Sequence, residues 1–309
     1  MASGRTFPEL TAGLIKGHFP SIARAITVVE NKVEGYEDLL ENLPGNSNAV
    51  ITGITGSPGA GKSTITDGLI LRLLEAGKKI AVLCIDPSSP FHMGSLLGDR
   101  IRMSNWYNKP EVFIRSLSTR GSLGGLNPMV YEIAEVLKAA GFDHILIETV
   151  GVGQTEVEIS ALADTTVVVL VPEGGDDIQA MKSGLMEIGD LFVVNKADRP
   201  GTEIFMKNIR QMLDPVFRKE KNKISVIKTI ATTGEGLDQL SELILKHSKH
   251  PDTEKKIKLL TARAWNQIMQ MNMKKYDIHD LKEKIQENYG ESFNLYKFSK
   301  DYREKIENN

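Results

Sequence analysis

A lysine and a serine close a glycine-rich stretch at residues 56–63, GSPGAGKS, which fits the phosphate-loop pattern G-x-x-x-x-G-K-[ST]. Glycines let backbone N–H groups turn towards a phosphate, while Lys62 reaches its β- and γ-oxygens and Ser63 offers a hydroxyl to Mg²⁺. The helical pattern that follows adds the positive end of a helix dipole. We therefore predict a nucleotide phosphate site, with Lys62 also a candidate catalytic residue. The predicted nucleotide-binding residues here are Gly56, Ser57, Pro58, Gly59, Ala60, Gly61, Lys62, Ser63 and Thr64.

A second motif, Asn195-Lys196-Ala197-Asp198, fits the pattern N-K-x-D and predicts which base is bound. The Asp198 carboxylate can accept one hydrogen bond from guanine N1–H and another from the 2-amino group, whereas adenine presents a lone pair to it. Such a mismatch typically disfavours the wrong base by roughly 10²–10⁵-fold. The apolar stem of Lys196 can lie along the base. Together with the phosphate loop, Asn195, Lys196 and Asp198 predict GTP as the nucleotide.

Two acidic residues end apolar runs and are candidate Mg²⁺ ligands. Glu148 ends the run HILIE, where P-loop proteins place a metal-linked acid, and Asp86 ends the run KIAVLCID. Mg²⁺ in nucleotide sites takes a few carboxylates together with waters and phosphate oxygens. Asp99, in the loop after Asp86, is either a further metal-linked acid or a solvated one. Gly151 follows Glu148 closely, and we expect its backbone N–H to sense the γ-phosphate.

Six short apolar runs alternate with helical patterns, and we expect them to be the strands that position these residues. They are AVITGIT, KIAVLCID, HILIETV, TTVVVLV, DLFVVNK and KISVIKT. Continuous apolar strands separated by helices predict a mostly parallel sheet that is covered on both faces. In such sheets, ligands bind beyond the carboxyl ends of the strands. The predicted fold class is therefore an α/β P-loop NTPase with a mostly parallel central sheet flanked by helices.

Helical extensions are predicted on both sides of the sheet region. Apolar residues recur at three- and four-residue steps from Ile22 to Leu40, which indicates one helical stripe. A second stripe runs from Ile257 to Met271 in a highly charged tail. The tail helices cannot bury this stripe alone, so they must pack on the central domain or on another chain. We expect an N-terminal helical extension at 1–48, a P-loop GTPase domain at 49–250 and a C-terminal helical dimerisation arm at 251–309.

Composition narrows the class of protein. The 309 residues carry a formal net charge of -2, which gives no reason to expect nucleic acid as a partner. Cys84 is the only cysteine, so a disulfide within the chain is impossible and a thiol metal site implausible. No apolar run approaches the roughly 20 residues of a membrane span, and the start MASGRTFPEL lacks the order of a secretory signal. We expect a cytoplasmic protein without a membrane partner, with the mitochondrial matrix as the alternative compartment.

The chain resembles the MeaB/ArgK family of P-loop GTPases. The resemblance rests on GSPGAGKST, CIDPSSPF..GSLLGDR, TRGSLGGL, ETVGVGQTE, EGGDDIQAMKSGLMEIGD and NKAD, and it runs from Ile51 to Ala231. The members of this family are chaperones of adenosylcobalamin-dependent methylmalonyl-CoA mutase and similar acyl-CoA mutases. The resemblance implies a GTP hydrolase that uses GTP/GDP and Mg²⁺ and whose partner is a mutase on a separate chain, with a role in cofactor loading and protection.

Several residue roles are implied by the resemblance. It adds Ala231 to the nucleotide site, and it makes Asp176 and Lys182 catalytic candidates in a segment that couples the nucleotide state to the partner. Without the family, that segment is equally typical of a glycine-rich loop leading into a helix capped by Asp176. The shell of the Mg²⁺ ion, direct or through water, would consist of Ser63, Asp86, Asp99 and Glu148.

Hydrolysis is expected to be slow in the isolated protein. Many regulatory GTPases place a glutamine directly after the switch glycine to orient the attacking water, whereas Val152 stands there in this chain. Gln154 follows two positions later, and its role stays open, as do phosphate contacts of Arg115 and Arg120. We expect a rate within about ten- to a hundredfold of ~10⁻³ s⁻¹, the scale of unassisted GTPases, and acceleration by the partner.

Two other functions remain open at this point. A nickel-delivering metallochaperone GTPase of the same superfamily usually needs metal sites rich in Cys and His, and one cysteine with six histidines argues against it. A transport-linked kinase using ATP is the other alternative, and Asn195 and Asp198 speak against adenine. The orphan stripe at Ile257–Met271 additionally predicts a homodimer through the tail helices, with an isologous interface.

Overall fold

The computed structural model describes residues 7–45, 48–86, 103–119, 126–149, 155–172, 185–217, 224–249, 253–273, 275–289 and 293–307. The chain forms two compact units, Met1–Pro251 and Asp252–Asn309. The first unit contains a sheet and the helices that cover it, and the second unit consists of helices.

Seven strands of the described chain form one sheet, and every neighbouring pair is parallel. The strands are β1 (Val50–Gly56), β2 (Ile80–Asp86), β3 (Val112–Ser118), β4 (His144–Glu148), β5 (Thr165–Leu170), β6 (Leu191–Val194) and β7 (Ser225–Lys228). They lie in the order β3-β2-β4-β1-β5-β6-β7, so β1 sits between β4 and β5. The chain builds one half of the sheet and then crosses to the other side of β1. Such a switch point leaves a ligand-binding crevice at the carboxyl ends of the strands.

Helices flank the sheet in the first unit and make up the second. The first unit has α1 (Phe7–Ile15), α2 (Phe19–Glu30), α3 (Tyr36–Glu41), α4 (Lys62–Glu75), α5 (Val130–Ala139), α6 (Thr155–Leu162), α7 (Thr202–Phe217) and α8 (Leu237–Lys249), with short helical turns at Ser104–Trp106 and Met186–Ile188. The second unit has α9 (Thr253–Met273), α10 (Ile278–Asn288) and α11 (Leu295–Glu307). The parallel sheet flanked by helices confirms the predicted fold class.

Alternate residues of each strand point to opposite faces of the sheet, so a separate core forms on each face. On one face, Leu83 and Ile85 of β2 pack with α1, α2 and α5. On the other face, Val82 and Cys84 of the same strand pack with α4 and α8. All four side chains are buried, and full burial of a large aliphatic side chain contributes about 1.5–3 kcal/mol. These two clusters, and a third between β5, β6 and α7, fix the strand ends on which the site is built.

Strand β3 is a seventh strand, which the six predicted apolar runs did not include. Its sequence VFIRSLS is interrupted by Arg115 and Ser116, so it lacks the continuous apolar pattern of a strand covered on both faces. β3 lies at the edge of the described sheet, where polar residues are tolerated more readily than in a central strand. The prediction of six strands was therefore one strand short.

The apolar stripe from Ile22 to Leu40 forms two helices, so the prediction of a single stripe on one helix was wrong. The chain leaves the first helix after Glu30 and enters the next at Tyr36. Between them, Lys32 has a φ of 49° and Gly35 a φ of 83°. This left-handed backbone cannot continue a right-handed α-helix. The three- and four-residue spacing survives the break because α2 and α3 pack against the same core.

The second unit leaves an apolar stripe of α9 exposed. Its exposed hydrophobic side chains, with relative exposures between 47% and 65%, are Ile257, Leu260, Trp265, Ile268, Met269, Met271 and Met273. This set includes four members of the predicted tail stripe. No helix in the described ranges is long and apolar enough to cross a membrane.

Within the second unit, a side-chain hydrogen bond joins α10 to α11, and an aromatic contact joins α11 to the segment before α10. The Tyr302 hydroxyl donates a hydrogen bond to Asp280 Oδ2 at 2.6 Å, and this bond raises the pKa of Tyr302 to about 12. The Tyr302 ring also lies 6.0 Å from that of Phe298 and 6.3 Å from that of Tyr276, measured between ring centroids. These contacts hold the two helices together.

Candidate nucleotide-binding site

The register of the sheet brings two of the predicted metal ligands to one edge. Glu148 is the last residue of β4, and it pairs with Ile54 of β1 on one side and with Cys84 of β2 on the other. Asp86 ends β2 just beyond Cys84, so it lies at the same carboxyl edge. Asp86 and Glu148 are each only 5% exposed. Glu148 therefore lies beside β1, the strand that leads into the phosphate loop, and Asp86 lies one strand further away on β2.

The phosphate loop connects the end of β1 to the start of α4. Gly61 directly precedes the helix and has a φ of 92°, a left-handed conformation that favours glycine. A Cβ atom at Gly61 would lie 2.3 Å from Nδ2 of Asn195, so the residue also permits a close approach. The first turn of α4 thereby opens directly into the loop, and the N-terminus of a helix is an anion-binding end.

Lys62 is buried at the start of α4, with 6% of the residue exposed. Its Nζ donates hydrogen bonds to the carbonyl oxygen of Gly56 at 2.8 Å and to that of Ser57 at 2.9 Å. A buried ammonium needs such partners because removing a charge from water is costly. These contacts hold the positive charge within the phosphate loop, where it can meet phosphate oxygens.

Ser63 and Glu148 join the first turn of α4 to the end of β4. The Ser63 hydroxyl donates to Oε1 of Glu148 at 2.5 Å. Hydroxyl and carboxylate oxygens are the hard donors that Mg²⁺ prefers, and Asp86 supplies a second buried carboxylate on the neighbouring strand. Within the described ranges, no group of three or more His, Cys, Asp or Glu side chains is placed to hold a metal ion. The residues present fit a Mg²⁺ ion whose shell is completed by Ser63, water and nucleotide phosphates.

Asn195 links the phosphate loop to the segment that follows β7. Its Nδ2 donates to the carbonyl oxygen of Ala60 at 2.8 Å. Its Oδ1 accepts a hydrogen bond from Thr229 Oγ1 at 3.0 Å and another from the backbone N–H of Ala231 at 3.1 Å. Asn195 is 2% exposed, so these partners replace water for a buried amide. The structure thus brings Asn195 and Ala231, two predicted nucleotide residues, into direct contact.

Lys196 and Asp198 follow Asn195 in the chain and are more exposed to solvent than Asn195. Lys196 has a φ of 56°, which is uncommon for a residue with a side chain, and it turns the backbone at the end of β6. The N–H of Ala197 donates to the carbonyl oxygen of Thr229 at 3.1 Å, which fixes the turn. Asp198 is exposed. Its carboxylate is therefore accessible to a base bound beside the Lys196 stem.

One cavity of about 350 Å³ collects these elements. Its lining joins the phosphate loop and the start of α4 to the ends of β2, β4 and β6. The lining residues are Pro58, Gly59, Gly61, Lys62, Ser63, Thr64, Cys84, Ile85, Glu148, Thr149 and Lys196. The phosphate loop, Glu148 and Lys196 therefore share a single crevice at the topological switch point.

Thr149 and Thr229 are two buried residues of this region that the motifs did not predict. The Thr149 hydroxyl donates to Thr55 Oγ1 at 3.0 Å and so ties β4 to β1 beneath the phosphate loop. Thr229 lies at the end of β7 and supports Asn195. Their signal in the sequence is slight, since each is a threonine at the end of an apolar run.

Arg115 lies away from the phosphate loop and contacts the N-terminal helices. Its Nη2 donates to Thr27 Oγ1 at 3.3 Å and lies 3.5 Å from Oε2 of Glu30. These contacts join β3 to α2, so the open question about Arg115 is answered by a structural role. Seven other residues discussed from the sequence lie outside the described residues: Asp99, Arg120, Gly151, Val152, Gln154, Asp176 and Lys182.

Comparison with known proteins adds a family. A family model described as methylmalonyl Co-A mutase-associated GTPase MeaB matches residues 22–288, which include every described residue of the site. A protein of Pyrococcus horikoshii is 48% identical over 247 residues, which cover 78% of this chain and 77% of the relative. The mouse protein named methylmalonic aciduria type A homolog, mitochondrial, is 33% identical over 299 residues, covering 89% of this chain and 72% of the mouse protein.

A solved structure shares the fold along the whole chain. The crystal structure of a LAO/AO transport system kinase matches with a TM-score of 0.64 and 23% sequence identity, and it covers 99% of each chain. At this identity the similarity concerns the fold. It agrees with the parallel sheet and the flanking helices described above.

Proposed function

Because this chain belongs to the MeaB family of methylmalonyl-CoA mutase-associated GTPases, we propose that it hydrolyses GTP and acts as the chaperone of an adenosylcobalamin-dependent acyl-CoA mutase. The family membership confirms the resemblance found in the sequence. The mutase role is supported by the description of the family and by the mouse relative named for methylmalonic aciduria. The mutase would be a separate chain, met in the cytoplasm or in the mitochondrial matrix.

The observation that carries the nucleotide assignment is the link through Asn195. The hydrogen bond from Asn195 Nδ2 to Ala60, at 2.8 Å, places the N-K-x-D motif beside the phosphate loop. A nucleotide whose phosphates lie at Lys62 would have its base near Asp198. The Asp198 carboxylate would then accept the two guanine donors, and Asn195 would hold the loop and Ala231 in position.

The phosphates would be bound by the backbone of residues 56–64 together with Lys62. A Mg²⁺ ion held there would supply positive charge to offset the charge that develops on the phosphoryl oxygens. Ser63, Asp86 and Glu148 would hold this ion, with Asp99 as the further acid implied by the family. The charge of Lys62 would lie at the same oxygens, since its Nζ is already within the loop.

We propose that hydrolysis is slow in the isolated chain and accelerated by the partner. Val152 can neither donate a hydrogen bond to the attacking water nor accept one from it, so the water would be poorly oriented. Binding of the mutase would order Asp176 and Lys182, and Lys182 would add positive charge where it accumulates on the phosphoryl oxygens. Gly151 would sense the γ-phosphate through its N–H.

A homodimer through the second unit belongs to the same proposal. The exposed apolar stripe of α9 includes Ile257, Leu260 and Ile268, each at least half exposed. Burying such side chains in a partner copy would stabilise the dimer by removing apolar area from water. A chain truncated after Pro251 is expected to be monomeric in light scattering, and a dimeric truncation would contradict this assignment.

The two alternatives are less well supported by the residues. A transport-linked kinase would need an adenine site, yet Asp198 would face the N1 lone pair of adenine. A nickel-delivering GTPase would need a separate site with soft or imidazole ligands, and among the described residues no group of three or more His, Cys, Asp or Glu side chains could hold a metal ion.

The test of the proposal is single-turnover GTP hydrolysis with and without the mutase. We expect a rate within about a hundredfold of ~10⁻³ s⁻¹ alone and a clear increase with the mutase. Lys182→Ala should lose most of that increase while its GDP affinity stays nearly unchanged. A fast rate without partner, or stimulation that survives Lys182→Ala, would refute the mechanism, and the absence of any stimulation would refute the mutase assignment.

A further inference from the structure

Arg72, in the last turn of α4, makes hydrogen bonds beyond its own helix. Its Nε donates to Oδ1 of Asp238 at 3.0 Å, and its Nη2 donates to the carbonyl oxygen of Gly234 at 3.3 Å. The Nη1 atom donates to Gly68 in the preceding turn, also at 3.3 Å. The Arg72 side chain is 18% exposed, so its guanidinium is largely shielded from water. Arg72 therefore ties α4 to the segment between β7 and α8.

That segment, residues 229–236, is named the base loop here because it supports the base end of the site. Thr229 and Ala231 both donate hydrogen bonds to Oδ1 of Asn195. The base loop also approaches α4 closely at its far end, since a Cβ at Gly234 would lie 2.7 Å from Nη2 of Arg72. Arg72 contacts the same end of the base loop through Gly234.

The phosphate loop and the base loop are connected in two ways, through Asn195 and through α4 with Arg72. Asn195 joins the base loop to Ala60 in the phosphate loop. Helix α4 runs without interruption from the phosphate loop to Arg72, and Arg72 returns to the base loop at Gly234. The base loop is thus held at two points, at the buried Asn195 and at Arg72 in the last turn of α4.

We propose that Arg72 is a positioning residue that sets the base loop relative to the phosphate loop and so raises the affinity for guanine nucleotides. The inference rests on the proposed function as a guanine-nucleotide protein. The described hydrogen bonds of Arg72 go to Gly68, Gly234 and Asp238, so it acts through the base loop and not by touching the ligand. Loss of the Arg72 side chain must therefore weaken the binding of ligands that carry the guanine base. The binding of ligands that consist of phosphate alone must stay unchanged.

The test compares GDP with inorganic triphosphate, which has no base, by calorimetry in the presence of Mg²⁺. Arg72→Met keeps an unbranched apolar stem of similar length against α8 and removes the guanidinium. We expect GDP to bind about fivefold to tenfold more weakly, the lower range of typical couplings between sites. The dissociation constant of triphosphate should change by less than about twofold. Arg72→Lys, which keeps the charge but not the fork of donors, should recover part of the loss.

Arg115→Met is the matched control, because it also removes a partly buried arginine paired with a glutamate, at 25% side-chain exposure. It breaks a contact to α2, away from the base loop, and should leave both affinities within about twofold. If Arg72→Met fails to fold, Asp238→Asn is the second variant, because it removes the carboxylate partner of Arg72, which is 83% exposed. This variant should weaken the binding of GDP by about twofold to threefold and leave the binding of triphosphate unchanged.

The inference is overturned by an unchanged GDP affinity in the Arg72 variants and in Asp238→Asn, or by an equal loss of affinity for GDP and triphosphate. A failure of the proposed function looks different, because the wild-type protein would then bind ADP as tightly as GDP. Equal losses in Arg115→Met and Arg72→Met would likewise overturn the inference, since they would reveal a general loss of stability.

Discussion

Gly61→Ala should destabilise the protein far more than Gly59→Ala, although both glycines lie in the phosphate loop. Gly61 has a φ of 92° and Gly59 a φ of 75°, so an alanine is strained at either position. A Cβ at Gly61 would lie 2.3 Å from Nδ2 of Asn195, whereas a Cβ at Gly59 would meet nothing within 4 Å. The pair therefore separates backbone strain from the contact with Asn195.

The magnitude follows from the hydrogen bonds of Asn195. Left-handed backbone costs an alanine about 1–2 kcal/mol, and this is the whole expected effect at Gly59. At Gly61 the amide of Asn195 must also move, which breaks its bond to Ala60 and disturbs the donors at Thr229 and Ala231. Leaving buried groups unpaired costs about 1–3 kcal/mol each, so we expect a total loss of about 3–5 kcal/mol.

The assay is urea unfolding of the nucleotide-free variants, followed by circular dichroism. We expect the free energy of unfolding to differ by about 2 kcal/mol or more between Gly61→Ala and Gly59→Ala. In an Asn195→Ala background, Gly61→Ala should cost only the backbone strain, because the clash is gone. Equal losses for the two glycines, or an undiminished loss in the Asn195→Ala background, would refute the role assigned to Asn195.

Three further predictions concern charge and base recognition. Lys62→Ala should weaken GTP and GDP binding by at least about tenfold in calorimetry, because a charge-assisted contact to phosphate is lost. Asp198→Asn should weaken the binding of GTP and favour xanthosine triphosphate in competition binding, because the amide offers a hydrogen-bond donor to the 2-oxo group of xanthine. Burial, and then the charge of Lys78, lowers the pKa of His144 from 6.5 to about 4, so the unfolded chain takes up the proton first as the pH falls. The free energy of unfolding should therefore drop by up to about 3 kcal/mol as the pH falls through this window, and His144→Gln should flatten that slope in urea unfolding.

The central strands could be predicted because strands covered on both faces must be apolar throughout. Runs such as KIAVLCID are visible without any knowledge of their neighbours. Strand β3 was missed because Arg115 interrupts its pattern, and the partners that make Arg115 acceptable lie on α2, far away along the chain. The break between α2 and α3 was missed because the apolar spacing continues across it, and only the left-handed backbone at Lys32 and Gly35 interrupts the helix.

The site was predictable where chemistry fixes both residue type and spacing. The phosphate loop and N-K-x-D motif carry that information locally, and the strand ends at Asp86 and Glu148 follow from the fold. Thr229 and Arg72 carry no such signal, since a threonine after a strand and an arginine in a helix are ordinary. Their contacts arise only when β7 and α4 are brought together by the sheet.

Selection of guanine by the site is tested most directly by the dissociation constants of GTP and ATP for the wild-type protein in the presence of Mg²⁺. Asp198 can satisfy both guanine donors and neither is present in adenine, so GTP should bind at least about 100-fold more tightly than ATP. Equal dissociation constants for the two nucleotides would contradict the assignment of Asn195, Lys196 and Asp198 as the base-reading residues.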